Sequence, residues 1–495
     1  MDRQPIPLSE LPHRKSQGLD QMSSEEVAAL FASSEPECLE ALLRPETLDR
    51  ARALLRTWMD MPPKRLVLGG AGTSGRLAWH LADRFREPLA SLGVEVEAWI
   101  AGGSQALVLA VEGAEDNFEG ALSELRARIG SQDGFFLGIS CGLSAPCVAA
   151  GVTAAMDLCG RAAVFGVNPP DEARAEPLPG LPGGFRGMLA DLADEPRFTL
   201  IHAPVGPELL TGSSRLKGGT ATWVLLEAML ATWCDRGGPD LATRMQASMR
   251  EAQGVVEQAG PWIQAAGDCL RLGGSIHYLG SGDEGRAGLL DASECGPTFG
   301  AQPGQIQAWF EGGWPGLGLE SGTAMPRLSL RDFDGERAPG LSSKDLVFLL
   351  GGVERELPTQ VVPLDVQEFL PTKLLLNAIS TGAFVQAGKV WGNRMIDLAL
   401  SNHKLFDRAC RILEDLRGQP ADACYRSLVA AIWDEDRPRH ELLRLPAEAH
   451  LARVREGGSA SGYVPLALLH LEGIDLAEAR KEIARQPVLR KLLAR

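Results

Sequence analysis

Apolar positions along this chain follow two periods in alternation. Short, mainly apolar runs at residues 66–68, 94–100, 135–139, 162–167 and 199–204, the second alternating with Glu95 and Glu97, are separated by stretches in which apolar residues recur every three or four positions. The runs predict buried strands; the stretches between them, from about Arg76, around 119–129 and after Pro146, predict helices. Alternation of this kind implies a parallel sheet covered by helices on both faces. Long helical patterns follow at 217–234 and from Thr243 to Leu270, and strand–helix alternation restarts at 275–279. Ahead of the first strand, the spacing of Val27, Leu30, Phe31, Leu39, Leu42 and Leu54 predicts a helical lead-in starting at a Ser24 N-cap, with breaks near 33–36 and at Pro45. Residues 1 to about 20 are polar and proline-containing and read as an extended arm. After Leu413 the pattern is helical, interrupted at 457–462 and ending in a basic helix over 476–495.

The restart is a repeat. Gly70 recurs as Gly280, an offset of 210, and Leu137-Gly138 corresponds to Leu349-Leu350 at 212. Further on, Ala221-Thr-Trp-Val-Leu-Leu-Glu-Ala-Met229 pairs with Pro371-Thr-Lys-Leu-Leu-Leu-Asn-Ala-Ile379 at 150, so the second copy has lost about 60 residues between its third strand and its closing helix. The expected organisation is an arm and lead-in over 1–60, a first α/β domain over 61–240, a trimmed second one over 241–400 and an all-helical cap over 401–495.

Composition narrows the function. A 45% hydrophobic and 23% charged chain is soluble and globular in type. It has no run of 18 apolar residues, and Met1-Asp-Arg-Gln-Pro5 is no signal peptide, so no membrane association and a cytoplasmic location are expected. A formal charge of −15 without a basic stripe argues against nucleic acid. Nine scattered cysteines with no C-x-x-C pair argue against a disulfide framework and a zinc site, so no metal is expected.

The chemistry concentrates at strand ends. Gly70, Gly72 and Gly75 let backbone approach an anion, and the following helix points amides and dipole at it. The spacing also fits the dinucleotide pattern G-x-G-x-x-G. That site needs an acid at the tip of the second strand, where this chain has Ala101-Gly-Gly103. Thr73 and Ser74 instead add hydroxyls suited to a phosphate monoester. A second hydroxyl loop, with Ser140, Cys141, Gly142 and Ser144, follows the third strand; a third, Thr211-Gly-Ser-Ser-Arg-Leu-Lys217, carries Ser213 and Ser214. Three such loops on one carboxyl edge of a sheet define an anion site.

These segments resemble the SIS (sugar isomerase) domains of the N-acetylmuramic acid 6-phosphate etherase and glucokinase regulatory protein family. The resemblance runs through Gly70–Arg76, Glu112-Gly-Ala-Glu-Asp116, Gly212-Ser-Ser-Arg-Leu-Lys217, Asp291-Ala-Ser-Glu-Cys295, Pro297-Thr-Phe-Gly300, Ser380-Thr-Gly-Ala383, Gly388-Lys389, Gly392-Asn393 and Asp397. It implies two flavodoxin-like, three-layer αβα SIS domains in tandem as a pseudo-dimer, the second trimmed. It also places two family glutamates on Glu115, in the first copy, and Glu294, in the second, and a sugar-contacting lysine on Lys373.

Neither copy carries the whole set. Arg84 stands where Glu294 has its counterpart, Trp223 aligns with Lys373, and Asp283-Glu284 replaces Thr73-Ser74. Two carboxylates repel phosphate, so a single composite site is expected. The resemblance implies a phosphorylated amino sugar as ligand and no cofactor. An etherase-like lyase would remove H2 of the open-chain aldehyde, expel D-lactate from C3 and add water, with Glu115 and Glu294 as the catalytic proton carriers. The alternative is a non-catalytic sensor of fructose 6-phosphate or fructose 1-phosphate with a sugar kinase as partner. An aldose–ketose isomerase would leave the second glutamate without a task. Monomer and homodimer both remain open, because the duplication already supplies the pseudo-dimer.

Overall fold

The computed structural model describes residues 6–493 except 112, 131, 132, 159, 323, 324, 459 and 487. The lead-in forms α1 (Ser24–Leu42) and α2 (Pro45–Asp60). Ser23, one residue before the expected cap, exchanges hydrogen bonds with Glu26 in a capping box. The break expected near 33–36 does not occur. Pro36 costs α1 one backbone bond, which burial of Val27, Phe31, Cys38 and Leu42 along the helix offsets. Pro45 does start a new helix, at a position whose N–H has no intrahelical partner anyway.

The first α/β unit runs β1 (Arg65–Gly70), α3 (Gly72–Arg84), α4 (Arg86–Ala90), β2 (Glu95–Ile100), α5 (Phe118–Ile129), β3 (Gly134–Ile139), α6 (Pro146–Asp157), β4 (Arg161–Gly166), α7 (Gly184–Asp191), β5 (Phe198–His202) and α8 (Lys217–Cys234). Its five strands are parallel in the order β2-β1-β3-β4-β5. Period-two alternation assigns the faces: Leu66, Leu68, Phe135 and Leu137 pack toward α3 and α8, whereas Val67 and Phe136 join Leu125 of α5 and Val148 of α6.

Two helices, α9 (Leu241–Ala252) and α10 (Gly260–Arg271), lie where the pattern from Thr243 to Leu270 predicted one; Gly254, at φ 82°, lies in the break between them. The second unit then runs β6 (Ile276–Gly280), α11 (Gly282–Phe299), β7 (Ile306–Phe310), α12 (Gly313–Gly316), α13 (Leu330–Glu336), β8 (Leu346–Leu350), β9 (Gln360–Pro363) and α14 (Phe369–Gln386). Its sheet repeats the order with one strand fewer, β7-β6-β8-β9. The trimming is visible here: β8 passes to β9 through residues 351–359 with no helix, and α13 is the helix that packs on the outer face. The two units meet as a pseudo-dimer, α3 and α8 of one against α11 and α14 of the other.

The C-terminal part is all helical: α15 (His403–Arg417), α16 (Ala421–Trp433), α17 (Ala447–Glu456), α18 (Tyr463–Leu471), α19 (Leu476–Arg485) and α20 (Leu489–Leu493), the last two replacing one expected terminal helix. The N-terminal arm is not simply extended. It makes three single turns, Leu8–Glu10, Arg14–Ser16 and Leu19–Gln21, with Ser9, His13, Ser16 and Leu19 buried. Among the described residues no helix is long and apolar enough to cross a membrane.

Candidate functional site

The carboxyl edge of the first sheet and the start of α15 enclose a cavity of about 170 Å³. At its floor β1 ends in Gly70, the chain turns through Gly72 at φ 51°, and α3 begins. Gly75 closes the turn: a Cβ there would lie 2.6 Å from the Gly70 carbonyl oxygen. Thr73 and Ser74 are buried, and among the described residues the Thr73 hydroxyl has no hydrogen-bond partner. A buried hydroxyl without a partner is costly unless something else supplies one, and an anion at the head of α3 would.

The second loop is shaped by a strained residue. Leu143 sits at φ 50° with its side chain fully buried against Gly166, which turns Gly142 and Ser144 toward the cavity. The Ser140 hydroxyl accepts the N–H groups of Ser144 (3.1 Å) and Ala145 (3.2 Å), so it holds the loop's shape while lining the cavity. The Cys141 thiol lies 3.8 Å from the Ser74 hydroxyl, and burial pushes it up. In the third loop Ser213 and Ser214 line the wall, and the Thr211 hydroxyl is another buried group without a partner among the described residues. The head of α8 is already served: Glu208 accepts the N–H groups of Lys217 (2.8 Å) and Gly218 (2.9 Å).

Both expected glutamates reach this cavity from opposite sides. Glu294 projects from α11 across the interface, pairs with Arg76 of α3, and lies 3.5 Å from where a Gly72 Cβ would be. Arg76 is buried and donates as well to the carbonyls of Leu107 and Leu109, each at 3.2 Å. Glu115 lies in the loop before α5; Glu112 of the same motif falls outside the described residues. The start of α15 closes on this loop. Asn402 caps α15 and donates to Glu115 at 3.4 Å, Lys404 stands 3.8 Å from the same carboxylate, and the His403 N–H donates to Asp116 at 3.4 Å.

Gly72, Thr73, Ser74, Glu115, Ser140, Cys141, Gly142, Ser144, Ser213, Ser214 and Glu294 all line the one cavity. Lys373 does not. It is fully buried one layer behind, donating to Leu216 O (3.3 Å), Thr220 Oγ1 (3.1 Å) and Asn377 Oδ1 (2.9 Å), and burial brings its amine down to about 8. A Cβ on Gly219 would be 3.3 Å from both Lys373 Cε and Thr73 Cγ2, so the lysine backs the phosphate loop without entering the cavity. Arg76, Asn402, Lys404 and Arg408 line it instead, and sequence reasoning missed all four as site residues. One signal was available for Arg76, which recurs as Arg286 at the same offset as the glycines. None marked the α15 residues.

The degenerate loop of the second copy is filled from within. Asp283 pairs with Arg84 (2.6 Å) and approaches Arg286 (3.5 Å), while Glu284 accepts the Glu368 N–H at the head of α14 (2.8 Å). The carboxylates thus hold the positions at which an anion would meet a helix start and a cation.

Comparison with known proteins agrees with this layout. Residues 48–156 match the family model described as glucokinase regulatory protein N-terminal SIS domain, and residues 392–493 the C-terminal lid domain of glucokinase regulatory protein. The chain is 26% identical to glucokinase regulatory protein of Xenopus laevis over 94% of its own length and 89% of the relative's. It is 36% identical to N-acetylmuramic acid 6-phosphate etherase of Parasynechococcus marenigrum over 37% of this chain and 72% of that one, and 32% identical to the Burkholderia lata enzyme over 40% and 78%. Fold and site thus define a sugar-phosphate-binding SIS protein. Within that class, the chain belongs to the family of N-acetylmuramic acid 6-phosphate etherase and glucokinase regulatory protein.

Proposed function

We propose that this protein is a sugar-phosphate sensor: it holds a phosphorylated ketohexose, fructose 6-phosphate or fructose 1-phosphate, in the composite cavity and in that state alters its grip on a sugar kinase. The observation that carries this reading is the roof. Asn402, Lys404 and Arg408, which close the cavity, lie in the segment matched by the regulator's lid domain, and the regulators align along nearly the whole chain. The etherases align with well under half of it. In this reading the head of α3, with Thr73 and Ser74, takes the phosphate, the serines of the other two loops orient it, and the lid excludes water.

A second reading is favoured by one observation, that Glu115 and Glu294 face a single cavity. An etherase would use one to remove H2 and the other to assist departure of lactate and addition of water. Against it, Glu294 is paired with Arg76 and Glu115 faces Asn402 and Lys404 of the lid, so proton uptake by either would weaken an existing charge pairing.

Calorimetric titration with both fructose phosphates, alongside incubation with N-acetylmuramic acid 6-phosphate and an assay for D-lactate, separates the two. The sensor reading expects binding, no lactate, and a fructose-phosphate-dependent change in glucokinase activity when the protein is added. Release of D-lactate would overturn it.

A further inference from the structure

Arg408 is the arginine that α15 presents to the cavity, and its guanidinium is occupied by a residue from the far end of the chain. Glu10, in the first turn of the N-terminal arm, accepts Arg408 Nε at 2.9 Å and Nη2 with its other oxygen, a two-point fork, and Arg411 Nη2 stands 3.6 Å away. The pair is enclosed, with side chains 6% and 10% exposed. It is wedged onto the third loop: a Cβ on Gly212 would come within 2.6 Å of both Arg408 Cζ and Glu10 Oε2. Burial would raise the Glu10 carboxyl, but Arg408, Arg411 and Lys404 hold it down to about 2.

The rest of the arm is stitched to the site and to the lid. Ser9 N donates to Asn168 Oδ1 (3.0 Å), and Ser9 O accepts the Gly212 N–H (3.2 Å). Asn393 donates to His13 O (3.2 Å) and Ser16 Oγ (3.0 Å), fixing the middle of the arm. At its end Asp20 pairs with Arg490 of α20 (2.9 Å). The arm therefore grips the helical domain twice, near its beginning through Glu10 and near its end through Asp20, and meets the third loop at Ser9 and Glu10.

We infer that the N-terminal arm is a strap that keeps the lid closed, with Glu10 as the positioning residue that aims Arg408 over the sugar-phosphate cavity. The strap rests on the sensor reading only for its ligand consequence; its effect on the lid stands independently. A bidentate carboxylate fixes the plane of a guanidinium, which leaves the remaining N–H groups of Arg408 pointing one way. Without it the side chain and the first turns of α15 have several orientations, and closure over the ligand then costs ordering entropy.

The test uses full-length protein with Glu10→Gln, Glu10→Asp and, at the other end of the strap, Asp20→Asn. Amide hydrogen exchange is read across the chain, and fructose 6-phosphate is titrated by calorimetry. The expected result for Glu10→Gln is about tenfold faster exchange confined to the third loop and the first turns of α15, with about tenfold weaker fructose 6-phosphate binding. Glu10→Asp recovers part of both, and Asp20→Asn speeds exchange in α20. Unchanged exchange in α15, tighter ligand binding, or uniform acceleration through β1 and β3 would overturn the strap; the last would make Glu10 a mere support of the fold. If the wild type binds no fructose 6-phosphate while Glu10→Gln still loosens α15, the strap stands and the ligand reading falls.

Discussion

Arg84 of the first SIS copy pairs with Asp283 of the second at 2.6 Å, at the place where pseudo-symmetry would set Glu294 against the Gly72–Thr73 turn. The duplication has kept the geometry at both interfaces and exchanged the charges at one of them. One interface is left with hydroxyls open to a ligand, the other with an anion and a cation that satisfy each other.

That exchange yields the first prediction. Asp283→Thr restores a hydroxyl to the degenerate loop but strips Arg84 of its nearest carboxylate, leaving Glu368 at 3.7 Å and Glu227 at 3.9 Å. The pair is partly exposed and Arg84 keeps two other carboxylates, so the loss is at most about 1 kcal/mol in urea unfolding, with fructose 6-phosphate stoichiometry still one per chain. A second equivalent of bound ligand would contradict the account of the second site.

Thr73→Val separates stability from binding. The Thr73 hydroxyl is buried and unpartnered among the described residues, so replacing it with a methyl group leaves the unfolding midpoint unchanged or slightly raised. Sugar-phosphate affinity falls by about 1.5–3 kcal/mol, roughly 10- to 100-fold, through loss of one charge-assisted hydrogen bond. An unaltered dissociation constant would mean that the phosphate sits elsewhere.

The two SIS copies are riveted by Arg215. It pairs with Asp291 at 2.7 Å and donates to Ser380 and Thr381 from a position 1% exposed, opposite a carboxylate with no exposure at all. Arg215→Met leaves Asp291 buried with Tyr278, Asn377 and Ser380 but without a counter-charge, a cost of about 3–5 kcal/mol. Chemical denaturation checks this, and a change below about 1 kcal/mol would show the pair to be dispensable.

Acid should release the arm before the domains unfold. Glu10 is held down to about 2 from an ordinary 4.5, as the net result of burial, which raises it, and of Arg408, Arg411 and Lys404, which lower it further. A carboxyl depressed in the folded state contributes stability that is full above 4.5 and disappears as pH falls toward 2, here at most about 3 kcal/mol. Glu37 follows the same course: burial raises it, His13 and Lys217 lower it, and it too lies at about 2. Hydrogen exchange of residues 6–20 and α15 between pH 5 and 2.5 reads the effect; protection that stays flat over that window would refute it.

Strand–helix alternation, the hydroxyl loops at strand ends and the trimmed duplicate were all legible in the sequence. Each depends on local periodicity, on glycine conformations, or on comparing one stretch with its copy, and none needs a distance between remote residues. Lys373 shows the limit. Its alignment with Trp223 was plain, yet only packing of α14 against α8 decides that its amine stops at Leu216 and Thr220, one layer short of the cavity. The partners of Arg76 and Glu294, separated by more than two hundred residues, and the arm's hold on Arg408 across almost the full chain were likewise set by how helices dock. Sequence thus determined which surfaces carry hydroxyls and carboxylates. Tertiary structure alone decided which of them meet, because a contact between distant segments depends on the summed geometry of every element packed between them.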